Sequence, residues 1–370
     1  MPLKERDRRM RGFTLVLIWL CASAAVAADY RVETVAEGLD HPWSLAFLPD
    51  GRMLVSERPG RLRIIIEGAL EPAPVDGVPA VYARSQGGLF DVLPHPDFGA
   101  NGLLFLSFAH GDASANATRL VRARLDGHRL TGIQELFTAT PMKTTPVHYG
   151  GRMAIGPDRH LYLTIGDGFD WREQAQNPAN HLGSVVRLNL DGSVPADNPL
   201  IGREGHQPEI FAWGLRNPQG LAFAGERLYL HDHGPQGGDE LNLIEAGANY
   251  GWPVATYGVD YSGALVSPFQ SRPGMQAPLT HWTPSIAPSG LAAYHGGLFP
   301  GWQGDLFVTA LAERSLRRLE MRDGQVIAQH RLLEELDERL RDVRVGPDGA
   351  LYVLTDSSDG RVLRLTPAAE

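Results

Sequence analysis

The chain has 370 residues, of which 43% are hydrophobic and 21% charged, a composition typical of a soluble globular protein. Its net charge of −9 and the lack of a basic stripe along its body argue against a nucleic-acid partner. The acidity fits plain solubility or a bound cation. Glycine (42) and proline (27) are abundant and spread along the whole chain, so we expect many tight turns and an all-β fold.

The N-terminal segment has the organisation of a secretory signal. A basic stretch between Lys4 and Arg11 precedes an apolar stretch that ends in an A-x-A triplet at Ala27. We predict a signal peptide over 1–27, export to the periplasm or the medium, and no stable membrane insertion of the mature chain 28–370. A retained anchor is the alternative, and the shortness of the stretch disfavours it. The single cysteine lies inside the signal, so the mature chain has no disulfide.

One short pattern, a turn followed by an apolar strand, recurs six times. The copies start at Leu48, His95, Gly156, Phe223, Phe299 and Gly346. One such sheet cannot bury both of its faces alone, and repeats of about 40–50 residues indicate sheets packed around an axis. The repeats predict one six-bladed β-propeller in a single domain, in which the strand near Tyr30–Val35 completes the blade of the C-terminal strands. A β-sandwich or two small β-domains are the alternatives.

A histidine and an aspartate flank the predicted hairpin in the third repeat. His148 precedes its first strand, and Asp167 follows its second strand. Antiparallel pairing of these strands would place both side chains on the same rim. A carboxylate that fixes one imidazole nitrogen makes the other nitrogen a competent general base. An ordinary loop histidine with satisfied hydrogen bonds is the alternative.

Five further polar side chains are candidates for one channel. Arg216 and Asn217, in an Arg-Asn-Pro turn, suit carbonyl or carboxylate oxygens. Arg339 and Arg341 alternate on a predicted strand, so both can grip one anion. Gln86 lies in a loop beside two glycines. A structural turn, a solvated strand face and a plain loop amide are the respective alternatives.

The glycine-rich segment after the fourth repeat is rich in oxygen donors. Gly234 and Pro235 offer backbone carbonyls, and Asp239 and Glu240 offer carboxylates. Hard oxygen ligands on a flexible loop suit Ca²⁺ better than Zn²⁺, although the two acids also fit the start of a helical turn. Histidine, arginines and a calcium-like loop together favour an acidic cofactor with several carboxylates, and the chain carries no nucleotide-binding motif.

Four long motifs in order carry a family resemblance: GGRMAIGPDRHLYLTIGDG, GLRNPQGLAF, DELNLIEAGANYGWP and RDVRVGPDGALYVLTD. They resemble the soluble quinoprotein sugar dehydrogenases, above all the compact aldose sugar dehydrogenases, over nearly the whole mature chain. The resemblance implies a six-bladed propeller that binds pyrroloquinoline quinone (PQQ) and Ca²⁺. It implies oxidation of aldose sugars such as glucose at C1 to the lactone, with electrons passed to an external acceptor. The compact chain implies an open site and broad sugar choice, and we expect a monomer.

The resemblance also implies a role for each candidate residue. His148 matches the general base, and Asp167 matches the carboxylate that orients it. The positions that match cofactor-binding residues are Gln86, Arg216, Asn217, Tyr261, Arg339 and Arg341. The positions that match calcium ligands are the carbonyls of Gly234 and Pro235 in the active site, and Glu240 with the backbone oxygen of Tyr250 at a second, structural site.

The chain departs from the family at one cofactor contact. Where the family has a lysine against PQQ, the matching residue here is Ala312, and Glu313 and Arg314 follow it. Loss of a charge-assisted hydrogen bond costs about 1.5–3 kcal/mol. We therefore expect weaker PQQ binding unless Arg314 turns into the site.

Two other functions stay open on the sequence. A calcium-dependent lactonase or esterase can share the six-bladed fold, but the paired Arg339 and Arg341 fit it poorly. A secreted propeller that binds sugars or proteins without catalysis is the second, and Ala312 is the feature that favours it.

Overall fold

A computed structural model of the chain describes residues 30–368; the predicted signal peptide lies outside this range. The described chain is almost entirely β. Its regular non-β elements are one short helix, α1 (Phe98–Asn101), and 3-10 turns at Arg172–Gln176, Pro300–Trp302 and Glu334–Leu336. None of its helices has the length and apolarity that a membrane crossing requires.

In residues 30–368, twenty-four strands form six four-stranded antiparallel sheets. The first three sheets contain β2 (Pro42–Phe47), β3 (Met53–Glu57), β4 (Arg61–Ile66) and β5 (Ala69–Leu70); β6 (Leu89–Pro94), β7 (Leu103–Gly111), β8 (Asn116–Asp126) and β9 (Arg129–Thr138); and β10 (Gly150–Ile155), β11 (Leu161–Ile165), β12 (Ser184–Leu188) and β13 (Ile210–Trp213). The other three contain β14 (Pro218–Ala224), β15 (Arg227–Asp232), β16 (Asp239–Ile244) and β17 (Thr280–Trp282); β18 (Pro288–Ala293), β19 (Leu306–Ala310), β20 (Ser315–Arg322) and β21 (Gln325–Leu332); and β22 (Leu340–Val345), β23 (Leu351–Thr355) and β24 (Gly360–Pro367) with β1 (Tyr30–Leu39).

The six sheets are the blades of a propeller. The first strands of successive sheets, β2, β6, β10, β14, β18 and β22, contact one another in a closed ring around the axis. Apolar clusters fill the spaces between neighbouring blades, for example where Leu54 and Leu62 pack against Leu104 and Leu106. Each blade thus buries both faces, because its neighbours cover them. The six-bladed β-propeller predicted from the repeats is confirmed.

The N-terminal strand closes the ring. β1 pairs antiparallel with β24 from Tyr30 opposite Pro367 to Leu39 opposite Gly360. Arg31 Nε also donates to Thr366 Oγ1 at 2.8 Å. The sixth blade therefore consists of three C-terminal strands and one N-terminal strand, as the sequence predicted.

The recurring Pro-Asp turn has a specific structural role. In the third blade the Asp158 carboxylate accepts the backbone N–H of His160 (3.2 Å), the hydroxyl of Tyr162 (2.9 Å) and the guanidinium of Arg187 (2.9 Å). The equivalent partners of Asp348 in the sixth blade are Ala350, Tyr352 and Arg364. One turn aspartate thus ties three successive strands together, which explains why Asp, Tyr and Arg recur at fixed places in these repeats.

A buried ionic network crosses the centre of the channel. Arg152, on β10, lies 3.5 Å from Asp91 and 3.2 Å from Asp342, and stacks over Trp43 at 4.1 Å. Arg344 pairs with the same two aspartates at 3.1 and 2.9 Å. Two guanidiniums therefore balance two carboxylates, as the burial of charge requires. The network separates the polar end of the channel, where the inner strands begin, from an apolar mouth where they end.

Candidate active site

Two adjoining cavities lie at the end of the channel where the innermost strands begin. We call the first, of about 330 Å³, the basic cavity, because its lining includes Arg58, Arg216, Arg339 and Arg341. We call the second, of about 460 Å³, the acidic cavity, because its lining includes Asp167, Asp170, Glu173 and Asp260. His148, Arg216 and Tyr261 line both cavities, so His148 stands at the boundary between them.

The entry to the hairpin fixes the backbone of His148. β10 and β11 pair antiparallel, as predicted, with Gly150 opposite Ile165. A Cβ at Gly150 would lie 2.6 Å from the Thr164 carbonyl oxygen, so only glycine allows the strand to begin here. His148 itself has a positive φ of 53°. Its backbone N–H donates to Gln86 Oε1 at 2.9 Å, which holds the histidine at the rim.

His148 and Asp167 form a buried pair. His148 Nδ1 lies 2.7 Å from Asp167 Oδ1, and Asp167 is fully buried. Asp167 also accepts the Phe169 N–H on Oδ1 and the Trp252 indole N–H on Oδ2, both at 2.7 Å. An anionic acceptor fixes the proton on Nδ1 and leaves Nε2 with its lone pair. Within residues 30–368 no group hydrogen-bonds to Nε2, so this nitrogen is available to a bound substrate.

The surroundings of the pair keep the imidazole neutral. Burial lowers the pKa of His148; Asp167 opposes this shift, and the charges of Arg216 and Lys143 add to it. Lys143 is itself buried, and burial lowers its pKa to about 7. Its ammonium donates to Asn116 Oδ1 at 3.1 Å and stacks 3.5 Å above the Tyr149 ring. A neutral His148 beside a buried carboxylate can accept a proton.

A buried carboxylate positions the Arg-Asn-Pro turn. Asp232 accepts the backbone N–H groups of Arg216 and Asn217, both at 2.7 Å. The Arg216 guanidinium then reaches the Gly234 carbonyl at 2.9 Å and the Tyr261 hydroxyl at 3.4 Å. Arg216, Asn217 and Tyr261 all line the basic cavity. The turn thus presents a guanidinium and an amide to it.

The two arginines of the last blade share one counter-ion. Arg339 and Arg341 donate to Asp356 Oδ2 at 3.0 and 3.2 Å. Arg341 also donates to Gln219 Oε1 at 3.2 Å, while its Nε, although buried, has no partner among the described residues. Both guanidiniums line the basic cavity, so the prediction that the two arginines lie side by side is confirmed. One aspartate does not saturate their donors.

The fifth-blade segment around Ala312 lies mostly outside the basic cavity. Ala312 lines a separate cleft with His281 and Glu313, and Leu311 is the residue of this segment that lines the basic cavity. The Arg314 guanidinium binds Asp337 at 2.8 Å. The structure therefore does not bring Arg314 to Gln86, Arg339 and Arg341 in the described chain.

The predicted metal ligands fall into two places. The Gly234 carbonyl accepts Arg216, and Pro235 lines the acidic cavity. Glu240 lies on β16 opposite Asp232, and burial together with the Asp232 charge raises the pKa of Glu240 to about 8. No hydrogen bond in residues 30–368 joins Glu240 to Tyr250, whose N–H donates to Trp213. The same part of the chain holds no cluster of three His, Cys, Asp or Glu suited to a metal.

Residues that directly follow the second strand of a blade were not identified from the sequence. Arg58, His233 and Asp356 occupy this position after β3, β15 and β23, and all line the basic cavity. Asp167 lies one residue further along, two positions after the end of β11. An alignment of the six repeats would have placed Arg58, His233 and Asp356 in one column and so identified these three together. Trp252 follows no such pattern, because it comes from the irregular segment after β16.

Comparisons with known proteins identify the family of the chain. The family model described as Glucose / Sorbosone dehydrogenase matches residues 39–364. The aldose sugar dehydrogenase YliI of Escherichia coli is 39% identical, with 97% of this chain and 99% of that protein covered. A crystal structure of a glucose dehydrogenase superposes with a TM-score of 0.89 at 43% identity, over 92% of this chain and all of that chain.

A structure with its cofactor is also similar. The PQQ-bound aldose sugar dehydrogenase of Streptomyces coelicolor is 29% identical and has a TM-score of 0.76, over 92% of this chain and 98% of that chain. The residues that line both cavities lie within the range 39–364 that the family model matches. The chain therefore belongs to the glucose/sorbosone dehydrogenase family of oxidoreductases.

Proposed function

We propose that the protein oxidises the anomeric carbon of aldose sugars to the lactone, with PQQ as the hydride acceptor and Ca²⁺ as a second cofactor. The observation that carries the proposal is the position of the His148–Asp167 pair between the basic and acidic cavities. A base at this boundary can meet a sugar in the acidic cavity and a carboxylate-rich cofactor in the basic one. Similarity to PQQ-bound and aldose sugar dehydrogenases supports the same assignment.

The residues of the basic cavity fit PQQ. Four guanidiniums and one carboxylate line it, so it carries an excess of positive charge. The buried Nε of Arg341 and Nε2 of His233 have no partners among the described residues. Unused donors and excess positive charge suit an anion with several carboxylates. Gln86, Arg216, Asn217, Tyr261, Arg339 and Arg341 are the proposed cofactor contacts.

The oxygen donors near this cavity fit Ca²⁺. The carbonyls of Gly234 and Pro235, on the loop between β15 and β16, would hold the active-site ion beside Arg216. At the second site, Asp232 and Glu240 are paired residues of β15 and β16, and burial together with the charge of Asp232 raises the pKa of Glu240. Asn242 Oδ1 is buried there and has no partner in the described chain. A hard divalent cation would satisfy these donors, and we propose that the Tyr250 carbonyl completes the site.

The chain's own groups then perform the proton chemistry. His148 Nε2 takes the proton of the C1 hydroxyl while Asp167 stabilises the resulting imidazolium through Nδ1–H. The C1 hydride leaves as the C1–O bond becomes a carbonyl, so the sugar loses two electrons and two hydrogens and becomes the lactone. When bound, PQQ accepts the hydride and Ca²⁺ polarises the quinone carbonyl as a Lewis acid. An external acceptor removes the two electrons in the second half-reaction.

The test is reconstitution of the metal-free mature protein. PQQ is added with and without Ca²⁺, and reduction of a dye by glucose and other aldoses is followed. We expect activity that needs both additions. The variant His148→Ala should fold and bind PQQ but lose turnover by orders of magnitude, whereas His330→Ala, on an outer strand, should resemble the wild type.

Two results would overturn the proposal. Absence of activity, together with no spectral change at high PQQ concentration, would leave lactone hydrolysis or sugar binding as the function. Near-normal turnover of His148→Ala would show that His148 is not the general base. We further propose that the protein is exported and monomeric; the N-terminus of the secreted form should be Ala28, and sedimentation should give the mass of one chain.

A further inference from the structure

We propose that Arg58 binds a carboxylate of the cofactor, in place of the lysine expected at Ala312. The inference rests on the proposed function, because it concerns the ligand of the basic cavity. It assigns to the first blade a cation that the family resemblance assigns to the fifth. No motif in the sequence analysis pointed to Arg58.

The position of Arg58 is fixed by its backbone. Arg58 directly follows β3, and its N–H donates to the His41 carbonyl at 3.0 Å. Its own carbonyl accepts the N–H of Leu89 at 3.0 Å. A Cβ at Gly88 would lie 2.0 Å from this carbonyl oxygen, so the two segments are in close contact. These contacts fix the backbone of Arg58, from which the side chain extends to the lining of the basic cavity.

The side chain of Arg58 lies beside other proposed cofactor contacts. It lines the basic cavity together with Gln86, Arg339 and Arg341. Its Nη1 donates to the Ser85 carbonyl, directly before Gln86. The guanidinium has five donor N–H groups, and this bond uses one of them. Donors therefore remain for a ligand in the cavity.

Among residues 30–368, no carboxylate is paired with Arg58 alone. Burial lowers the pKa of Arg58, and the charges of Arg341 and Arg339 add to this shift, while Asp356 and Asp40 oppose it. Asp356 already binds Arg339 and Arg341. Three guanidiniums thus compete for one aspartate.

Asp40, the other acid near Arg58, is also engaged. It pairs with Arg61 at 2.9 Å and with His41 at 2.6 Å. An anion in the basic cavity would therefore compensate a charge that the described chain leaves unbalanced, and a carboxylate matches the guanidinium fork.

The test compares Arg58→Gln with Arg314→Gln as a matched control, because Arg314 binds Asp337 instead of lining this cavity. The protein is first stripped of metal, then supplied with a fixed concentration of Ca²⁺ and titrated with PQQ. Quenching of its tryptophan fluorescence gives the Kd for PQQ. We expect Arg58→Gln to weaken binding about ten- to a hundred-fold and Arg58→Lys to weaken it less. Arg314→Gln should bind as the wild type does, and both glutamine variants should keep its melting temperature.

The outcomes separate this inference from the proposed function. Wild-type affinity of Arg58→Gln would overturn the role of Arg58, and weaker binding by Arg314→Gln alone would return the role to the fifth blade. If Arg58→Gln fails to fold, Arg58→Met provides the same test, and wild-type affinity of Arg58→Met would equally count against the role of Arg58. A wild-type protein that binds no PQQ would overturn the proposed function itself.

Discussion

Trp252 donates its indole N–H to Asp167 Oδ2 at 2.7 Å, and the other oxygen of that carboxylate accepts from His148. The long segment after β16 therefore supports the base through two successive hydrogen bonds. Trp252 is 6% exposed, so water does not replace its N–H readily. This relationship makes the indole a positioning group for the proposed base His148.

Replacement of Trp252 by phenylalanine should slow turnover about tenfold, because a buried charged hydrogen bond is worth roughly 1.5–3 kcal/mol. The variant keeps an aromatic ring, so the Kd for PQQ should change little. The measurement is kcat and Kd for both variants, with Trp282→Phe as control, since Trp282 donates to Gln329 away from the site. Equal turnover of Trp252→Phe and the control would refute the positioning role.

The acid limb of the pH profile should lie below the ordinary histidine pKa of 6.5. Burial lowers the pKa of His148, and the base works only when unprotonated. Turnover should therefore hold as the pH falls to 6.5 and decline only at lower pH. Asp167 raises this pKa, so Asp167→Asn should move the limb further down while turnover drops. A limb above pH 6.5 in the wild type would contradict the assignment.

Removal of Arg152 should destabilise the propeller strongly. Arg152→Met leaves Asp91 and Asp342 buried with one guanidinium between them, and loss of one partner of a buried pair costs about 3–5 kcal/mol. Urea unfolding of the mature protein gives the comparison. Arg159→Met is the control, because its pair with Asp97 is exposed and should contribute at most about 1 kcal/mol. Similar losses in both variants would show that the network is not the source of stability.

Calcium should raise the melting temperature partly through Glu240. A ligand that binds only the folded state stabilises it, by about 2.7 kcal/mol at a hundred times its Kd. Chelation should therefore lower the midpoint, and Glu240→Gln should lose the part of this shift that comes from the second site. Glu245→Gln, in the exposed turn after the same strand, should keep the full shift. An unchanged calcium shift in Glu240→Gln would place the second ion elsewhere.

The blade count and the contact between His148 and Asp167 could be predicted because their signals are local. Each repeat carries its own turn and strand, and the Asp158 turn shows why those residues recur. His148 and Asp167 are separated by one hairpin, so strand pairing alone brings them together. Tertiary context was not needed for either prediction.

The remaining contacts depend on which blades face the same cavity. Arg58 and Asp356 come from the first and last blades, and only an alignment of the repeats, not the sequence around either residue, would have brought them together. Trp252 reaches Asp167 across 85 positions of sequence from an irregular segment. Arg314 is two residues after the expected lysine position, yet its side chain binds Asp337. Sequence spacing alone does not predict in which direction such a side chain points.

The pairing of β1 with β24 has a consequence for how the protein is made. Arg31 and Thr366 are 335 positions apart, and bringing such distant segments together costs about 5 kcal/mol of chain entropy. The sixth blade cannot form until β24 has been synthesised, so β1 has no partner strand before that point. The nascent chain therefore stays open while the first five blades are made, and the ring closes only when β1 and β24 pair.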